Sequence, residues 1–175
     1  MRRAAFLDRD GVLNRLRLEN GVLRPPANAE GLELLPHVPE ALALLADRGL
    51  LLVVVTNQPG VARGTLVRDD LDAIHARLRS LLPLHDVFAC DHDDGGGCAC
   101  RKPLPGLLLQ AAALHAIDLP RSFMIGDRWK DVAAGRAAGC TTFLLPQPHS
   151  ERTRCPPDHE APDLLAAARE IVTLL

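Results

Sequence analysis

Residues 50–56 read Leu-Leu-Leu-Val-Val-Val-Thr, an uncharged run with no polar alternation until its last position. A strand with one wet face alternates apolar and polar side chains, so a uniformly apolar strand has to be covered on both faces. Shorter apolar runs occupy 4–7, 87–90, 122–125 and 141–145. Between and after them stand segments of helical pattern at 38–48, 68–82, 105–116, 129–138 and 162–174, several opening at proline and the first stopping before Gly49. Strands alternating with helices predict an α/β fold with a parallel, doubly wound sheet, the 50–56 run at its centre. In such sheets ligands bind beyond the carboxyl ends of the strands, and the chemistry is sought there.

A chain of 175 residues suits one domain, with no room for a large inserted cap, and 47% hydrophobic against 24% charged residues supports a packed core. The net charge of −2, with Lys and Arg dispersed, lacks the basic footprint of nucleic-acid or anionic-membrane binding, so neither partner is expected. No apolar run reaches the length of a membrane span, and the first residues meet charge too early for a secretory leader, so a cytoplasmic protein is expected. Nothing marks an interface, and a monomer is expected.

The first strand ends in Asp8-Arg9-Asp10-Gly11-Val12-Leu13-Asn14. An Asp fixed at a strand end can attack phosphorus, while a second carboxyl two residues on can protonate the leaving oxygen and then activate water. The second strand ends in Thr56-Asn57-Gln58, whose hydroxyl and backbone N–H groups suit phosphate oxygens, and Gly60-Val61-Ala62-Arg63-Gly64 follows with an arginine able to fork onto substrate. Lys102, in Arg101-Lys102-Pro103, is a point charge for a transferring phosphoryl group. The fourth strand ends in Gly126-Asp127-Arg128-Trp129-Lys130-Asp131, whose two acids, with Asp8, can build an oxygen-only magnesium site. Each segment alone has a plainer meaning: a turn for D-x-D-G and Thr-Asn, solvated Arg63 and Lys102, helix N-caps for Asp127 and Asp131. Four such strand ends in one order are hard to obtain by chance.

Cys90 and His92, then five residues, then Cys98 and Cys100 supply the four ligands of a closed structural zinc site, whose work would be to pin the loop delivering Arg101 and Lys102. Three free or redox-active thiols beside an unrelated histidine are the alternative. Cys140 reads as a core thiol and Cys155 as part of a Pro-rich tail. His37, His75, His85, His115, His149 and His159 read as surface or capping residues.

The order Asp8-x-Asp10, Thr56, Lys102, Gly126-Asp127 with Asp131 resembles the four-motif pattern of the haloacid-dehalogenase superfamily of phosphatases. The longer strings through Asn14, Gln58, Gly64 and Pro103 are similar to its heptose bisphosphate phosphatases and their histidinol-phosphatase relatives. The resemblance implies Asp8 as nucleophile, Asp10 as acid/base, Thr56 and Lys102 as phosphate ligands, and Asp127 as a magnesium ligand with Asp8 and the Asp10 carbonyl. It implies Asp131 as an outer magnesium partner, and Arg63, Arg101 and Arg128 near the sugar or second phosphate of a bisphosphate; Asn57 is taken with the phosphate ligands. The implied reaction is Mg²⁺-dependent hydrolysis through aspartyl-phosphate, with the 7-phosphate of the heptose bisphosphate first and histidinol phosphate as the alternative. In those relatives the loop before the last cysteine pair is longer, Lys often replaces Arg128, and an aromatic often stands within residues 20–30. A phospho-accepting signalling module, the rival of another class, carries its phosphoacceptor after a later strand, whereas here the third strand leads into Cys90 and His92.

Overall fold

The computed structural model describes residues 1–148 and 155–175, so His149 lies outside the described residues. Six parallel strands form the main sheet: β1 (Ala4–Leu7), β4 (Leu51–Asn57), β5 (Asp86–Cys90), β6 (Phe123–Gly126), β7 (Thr141–Leu144) and β8 (His159–Glu160), in the order β5-β4-β1-β6-β7-β8. Between β1 and β4 stands an antiparallel hairpin, β2 (Arg17–Glu19) with β3 (Val22–Arg24). The helices are α1 (Val38–Asp47), α2 (Arg68–Leu81), α3 (Gly106–His115), α4 (Trp129–Ala138) and α5 (Leu164–Leu174).

The period of two along each strand separates two cores. Ala5, Leu7, Leu52, Val54 and Ile125 pack with α1, α5 and Leu78 of α2, whereas Ala4, Phe6, Leu51, Val53, Val55 and Met124 pack with α3 and α4. The 50–56 run is therefore apolar throughout because both faces are covered, as expected. It does not hold the middle of the sheet, which belongs to β1 and β6: burial on both faces requires only helices above and below.

The chain winds outward from β1 through β4 to β5, then returns to β6 and continues through β7 to β8 on the other side. The strand order thus reverses at β1, where a doubly wound sheet opens a crevice. Three strands were missed. β8 has only two residues, and β2–β3 are exposed throughout, so none shows a buried run. The hairpin did carry a signal: Asn20-Gly21, with φ of 50° and 77°, is the pair a two-residue turn favours between alternating apolar positions. No helix among the described residues is long and apolar enough to cross a membrane.

Candidate active site

The Asp8 N–H donates to the Ile125 carbonyl at 3.0 Å, so the first loop leaves the sheet still in register with β6. Gly11, at φ 87°, sits where a Cβ would overlap the Asp127 carboxylate. Glycine there lets the loops after β1 and β6 close on one another. Gly126 does the same for Asp131, whose side chain occupies the space of a Cβ at that position.

Lys102 joins these loops. Its Nζ, 2% exposed, donates to Asp8 Oδ1 at 2.9 Å, Asp131 Oδ1 at 2.5 Å and the Val55 carbonyl at 2.8 Å. Asn57, the last residue of β4, holds the lysine's backbone from both sides: its Nδ2 donates to the Lys102 carbonyl at 2.9 Å and its Oδ1 accepts the Lys102 N–H at 3.0 Å. Asn57 borders the cleft, but its amide is engaged in positioning Lys102. The Thr56 hydroxyl, 1% exposed as part of its residue, accepts from Gln58 Nε2 at 2.9 Å.

Asp8, Asp127 and Asp131 bring carboxylate oxygens within 4.8 Å of one another, all buried. Burial, the repulsion of Asp131 and Asp10, and the opposing pull of Lys102 leave the Asp8 carboxyl pushed up to about 6. Burial and the charges of Asp8 and Asp131 push Asp127 up to about 8. Burial alone would depress the Lys102 ammonium, but Asp131 and Asp8 overcome it and hold it above its ordinary value. One buried ammonium against three acids leaves excess negative charge in an all-oxygen donor set, which fits a hard divalent cation such as magnesium.

Asp10 is held apart from that cluster. Arg9 Nε and Nη2 donate to its Oδ1 at 3.2 and 3.1 Å, Nη2 also reaches Oδ2 at 3.0 Å, and Asn14 Nδ2 and Gln58 Nε2 add bonds at 3.0 and 2.7 Å. Arg9 is fully buried and its Nη1 donates to His75 Nε2 at 3.1 Å. Burial first, then the Arg9 charge, lowers His75 to about 4, so it is a neutral acceptor at neutral pH. The sequence did not mark Arg9, Asn14 and Gln58 as Asp10's anchors, nor His75 as the partner behind Arg9. An arginine between two acids pointed to Arg9, but nothing local pointed to His75 on α2.

Three other described histidines also have partners: His85 Nδ1 accepts from the Leu52 N–H at 3.1 Å, His115 meets Asp86 at 2.8 Å, and His159 meets Glu170 at 2.6 Å while stacking on Phe143. His37 stands at the start of α1 without a side-chain cap bond, its Nδ1 3.4 Å from Glu40 Oε2. Cys140 is buried, as expected of a core thiol.

The second cluster lies at the end of β5. Cys90 Sγ is 3.7 Å from Cys98 Sγ, 3.1 Å from Cys100 Sγ and 3.5 Å from His92 Nδ1, and Cys100 Sγ is 3.4 Å from that nitrogen. These sulfurs are too far apart to be bonded, and a tetrahedral zinc with Zn–S of about 2.3 Å needs sulfurs about 3.8 Å apart. The four side chains fit zinc with a small expansion.

Asp8, Asp10 and Lys102 open onto a cavity of about 610 Å³. Arg63, Arg101, Arg128 and Lys130 form its cationic rim, and Glu19, Val22 and Arg24 of the hairpin form the facing wall. Arg128 also brings its guanidinium to 4.0 Å from Asp127, while its backbone N–H donates to Asp131 Oδ2 at 3.1 Å to start α4.

Comparison with known proteins agrees with this arrangement. A family model described as HAD-hydrolase-like matches residues 99–168. A D-glycero-D-manno-heptose-1,7-bisphosphate 7-phosphatase of Thermosynechococcus vestitus is 36% identical over 99% of this chain and 97% of its own. The chain belongs to the haloacid-dehalogenase-like hydrolases. Another relative, the D-glycero-beta-D-manno-heptose-1,7-bisphosphate 7-phosphatase of Helicobacter pylori, strain J99, is 38% identical over 82% of each chain. Among solved structures, a D,D-heptose 1,7-bisphosphate phosphatase of B. bronchiseptica, complexed with magnesium and phosphate, matches with a TM-score of 0.81, 29% identity and 99% coverage of each chain.

The raised carboxyls give a pH dependence with a definite sign. Asp8 and Asp127 hold protons in the folded state up to about 6 and about 8, but lose them near 3.8 when unfolded. The folded protein then binds more protons across that interval, so stability falls as pH rises through it. Protein free of magnesium is expected to melt at a lower temperature at about pH 8 than at about pH 5, and millimolar Mg²⁺ to narrow the gap by favouring the ionised acids. Equal melting temperatures in metal-free buffer would mean that the carboxyls are not raised.

Proposed function

We propose that the chain is a Mg²⁺-dependent phosphatase that removes the 7-phosphate of D-glycero-D-manno-heptose 1,7-bisphosphate through an aspartyl-phosphate on Asp8. The observation that carries the chemistry is the buried Lys102 bridging Asp8 and Asp131 beside Asp127, at the ends of β1 and β6. The relatives' activities and the cationic rim support the choice of a bisphosphate.

Lys102 fixes Asp8 Oδ1 and orients the carboxylate that attacks phosphorus. As the Asp8–phosphorus bond forms and the ester bond breaks, Asp10 gives its proton to the leaving sugar oxygen. Asp10 then takes a proton from the water that attacks the aspartyl-phosphate, releasing phosphate and restoring Asp8. Four hydrogen-bond donors from Arg9, Asn14 and Gln58 hold Asp10 in one orientation for both transfers. Asp8, Asp127, the Asp10 carbonyl and, through an outer contact, Asp131 would hold the magnesium, which supplies the charge that lets a carboxylate approach a phosphate dianion. Thr56 and Lys102 would bind the transferring phosphate, and Arg63, Arg101 and Arg128 the rest of the substrate.

The test is steady-state phosphate release from both anomers of heptose 1,7-bisphosphate, histidinol phosphate and p-nitrophenyl phosphate. A kcat/KM at least about a hundredfold higher for one heptose anomer is expected, about 2.7 kcal/mol of discrimination. Equal weak rates across the panel would remove the substrate assignment and leave the reaction class.

We assign zinc to Cys90, His92, Cys98 and Cys100, within a single catalytic domain that works as a cytoplasmic monomer. About one zinc per chain is expected by elemental analysis, and Cys98→Ser is expected to lose it and raise the KM for the bisphosphate, because Arg101 and Lys102 follow directly. Unchanged metal content and kinetics in that variant would overturn the assignment.

A further inference from the structure

The glycine-rich loop between His92 and Cys98 places two acids where the substrate's second anionic group is expected. Gly95 and Gly97 take φ of 89° and 64°, and the Gly96 N–H bonds back to the Asp93 carbonyl at 3.1 Å, so the loop reverses tightly. The reversal turns Asp93 and Asp94 toward the cationic rim. Arg101 Nε donates to Asp94 Oδ1 at 2.8 Å, Lys130 Nζ lies 3.8 Å from the same oxygen, and Arg63 Nη2 lies 3.6 Å from Asp94 Oδ2. Arg63 also forks onto both oxygens of Asp93, its Nε to Oδ2 at 2.8 Å.

Arg63, Arg101, Lys130 and Asp94 all border the cavity that opens on Asp8. Three cations converging on one carboxylate at the mouth of a phosphatase cleft form an anion subsite that already holds an anion of the protein's own. Arg101 is only 13% exposed, so its guanidinium has little freedom to turn away, whereas Asp94 is 65% exposed and hangs from a loop whose glycines permit movement. The carboxylate is therefore the member of the cluster that can leave.

We propose that Asp94 is a specificity-determining residue: an internal anion seated on Arg63, Arg101 and Lys130 that the distal anionic group of a bisphosphate must displace in order to bind. The inference rests on the proposed bisphosphate reading of the same site. A phosphate dianion carries more charge and more acceptor oxygens than a carboxylate and replaces it on the same donors. A substrate with one phosphate leaves the carboxylate of the strap in place and is indifferent to it, whereas a second anionic group binds only if it carries enough charge to displace it, so the loop selects among bisphosphates by the strength of that second anion. Asp93 anchors Arg63 alone and is a lesser competitor.

The test compares wild-type protein with Asp94→Asn and Asp93→Asn, using heptose 1,7-bisphosphate, fructose 1,6-bisphosphate and p-nitrophenyl phosphate. Fructose 1,6-bisphosphate is read as a substrate or, if it is not turned over, as a competitive inhibitor of aryl phosphate hydrolysis. Asp94→Asn is expected to lower the KM or Ki of both bisphosphates about three- to tenfold, from the loss of partly screened ion pairs, while the KM of the aryl phosphate stays within about twofold. Asp93→Asn is expected to do the same more weakly. A higher KM for the bisphosphates would show that Asp94 holds the cations in place instead of competing for them, and a parallel shift of all three ligands would show a general effect on the loop; either overturns the proposal. If wild-type protein does not prefer heptose bisphosphate, yet fructose bisphosphate still tightens on Asp94→Asn, the substrate reading fails and the strap stands.

Discussion

Asp8→Asn is expected to lower kcat by at least about 10⁴-fold, with heptose bisphosphate and with a generic aryl phosphate alike, and to leave the protein folded. The amide keeps the side chain's volume, and its Oδ1 can still accept the Lys102 hydrogen bond now made at 2.9 Å. It cannot form the aspartyl-phosphate. Burial and the neighbouring acids already disfavour the Asp8 charge, so a neutral side chain relieves repulsion as it weakens the ion pair, and the two effects oppose each other in stability. Kinetics with circular dichroism and thermal unfolding on the same preparation separate chemistry from folding. Activity within about tenfold of wild type would move the nucleophile elsewhere; lost activity with lost structure would make Asp8 a folding residue.

Lys102→Met is expected to affect both properties. Removing the ammonium leaves Asp8, Asp127 and Asp131 buried together without their shared counter-charge, and stripping one partner from a buried charge cluster costs about 3–5 kcal/mol. The urea midpoint should fall accordingly, most in magnesium-free buffer at alkaline pH, where the acids are ionised, and recover in part with Mg²⁺ or at lower pH. Turnover should fall about 10²- to 10³-fold even where the variant is folded, since the developing phosphoryl charge loses a preorganised donor. A loss of less than about 1 kcal/mol would mean that the three acids share protons and need no cation. The two variants are complementary: one removes the nucleophile and an acid of the cluster, the other keeps the nucleophile and removes the cluster's ammonium.

The contrast between Asp8 and Asp10 shows how much of the site can be read from a linear string. Both stand at the end of an apolar run, and that position alone places them at the carboxyl end of the sheet. Their spacing did not show that Asp8 shares a cluster with Asp127 and Asp131 while Asp10 is turned onto Arg9, Asn14 and Gln58. Asn57 gives the same lesson: beside Thr56 it reads as a phosphate ligand, yet its amide secures the backbone of Lys102, a contact across 45 residues of chain.

Short-range pattern is enough to prescribe part of the molecule. The apolar period and the uniform run at 50–56 prescribed strands covered on both faces, and a parallel sheet put its chemistry at the strand ends. Residue type and spacing likewise marked the Cys-His cluster, because zinc ligands must come in a small set of geometries. The order of the strands, with β1 and β6 in the middle, was decided only by tertiary structure, since each apolar strand could pair with several others at similar energy. The environment of each charge was also decided there: Arg9 meets His75 from α2, and Arg63 and Arg101 are occupied because a glycine turn folds Asp93 and Asp94 back onto them. Local pattern is set by the nearest few side chains, but burial and electrostatics sum over neighbours that the fold brings from far along the chain, and those sums set the charge state and orientation of the acids.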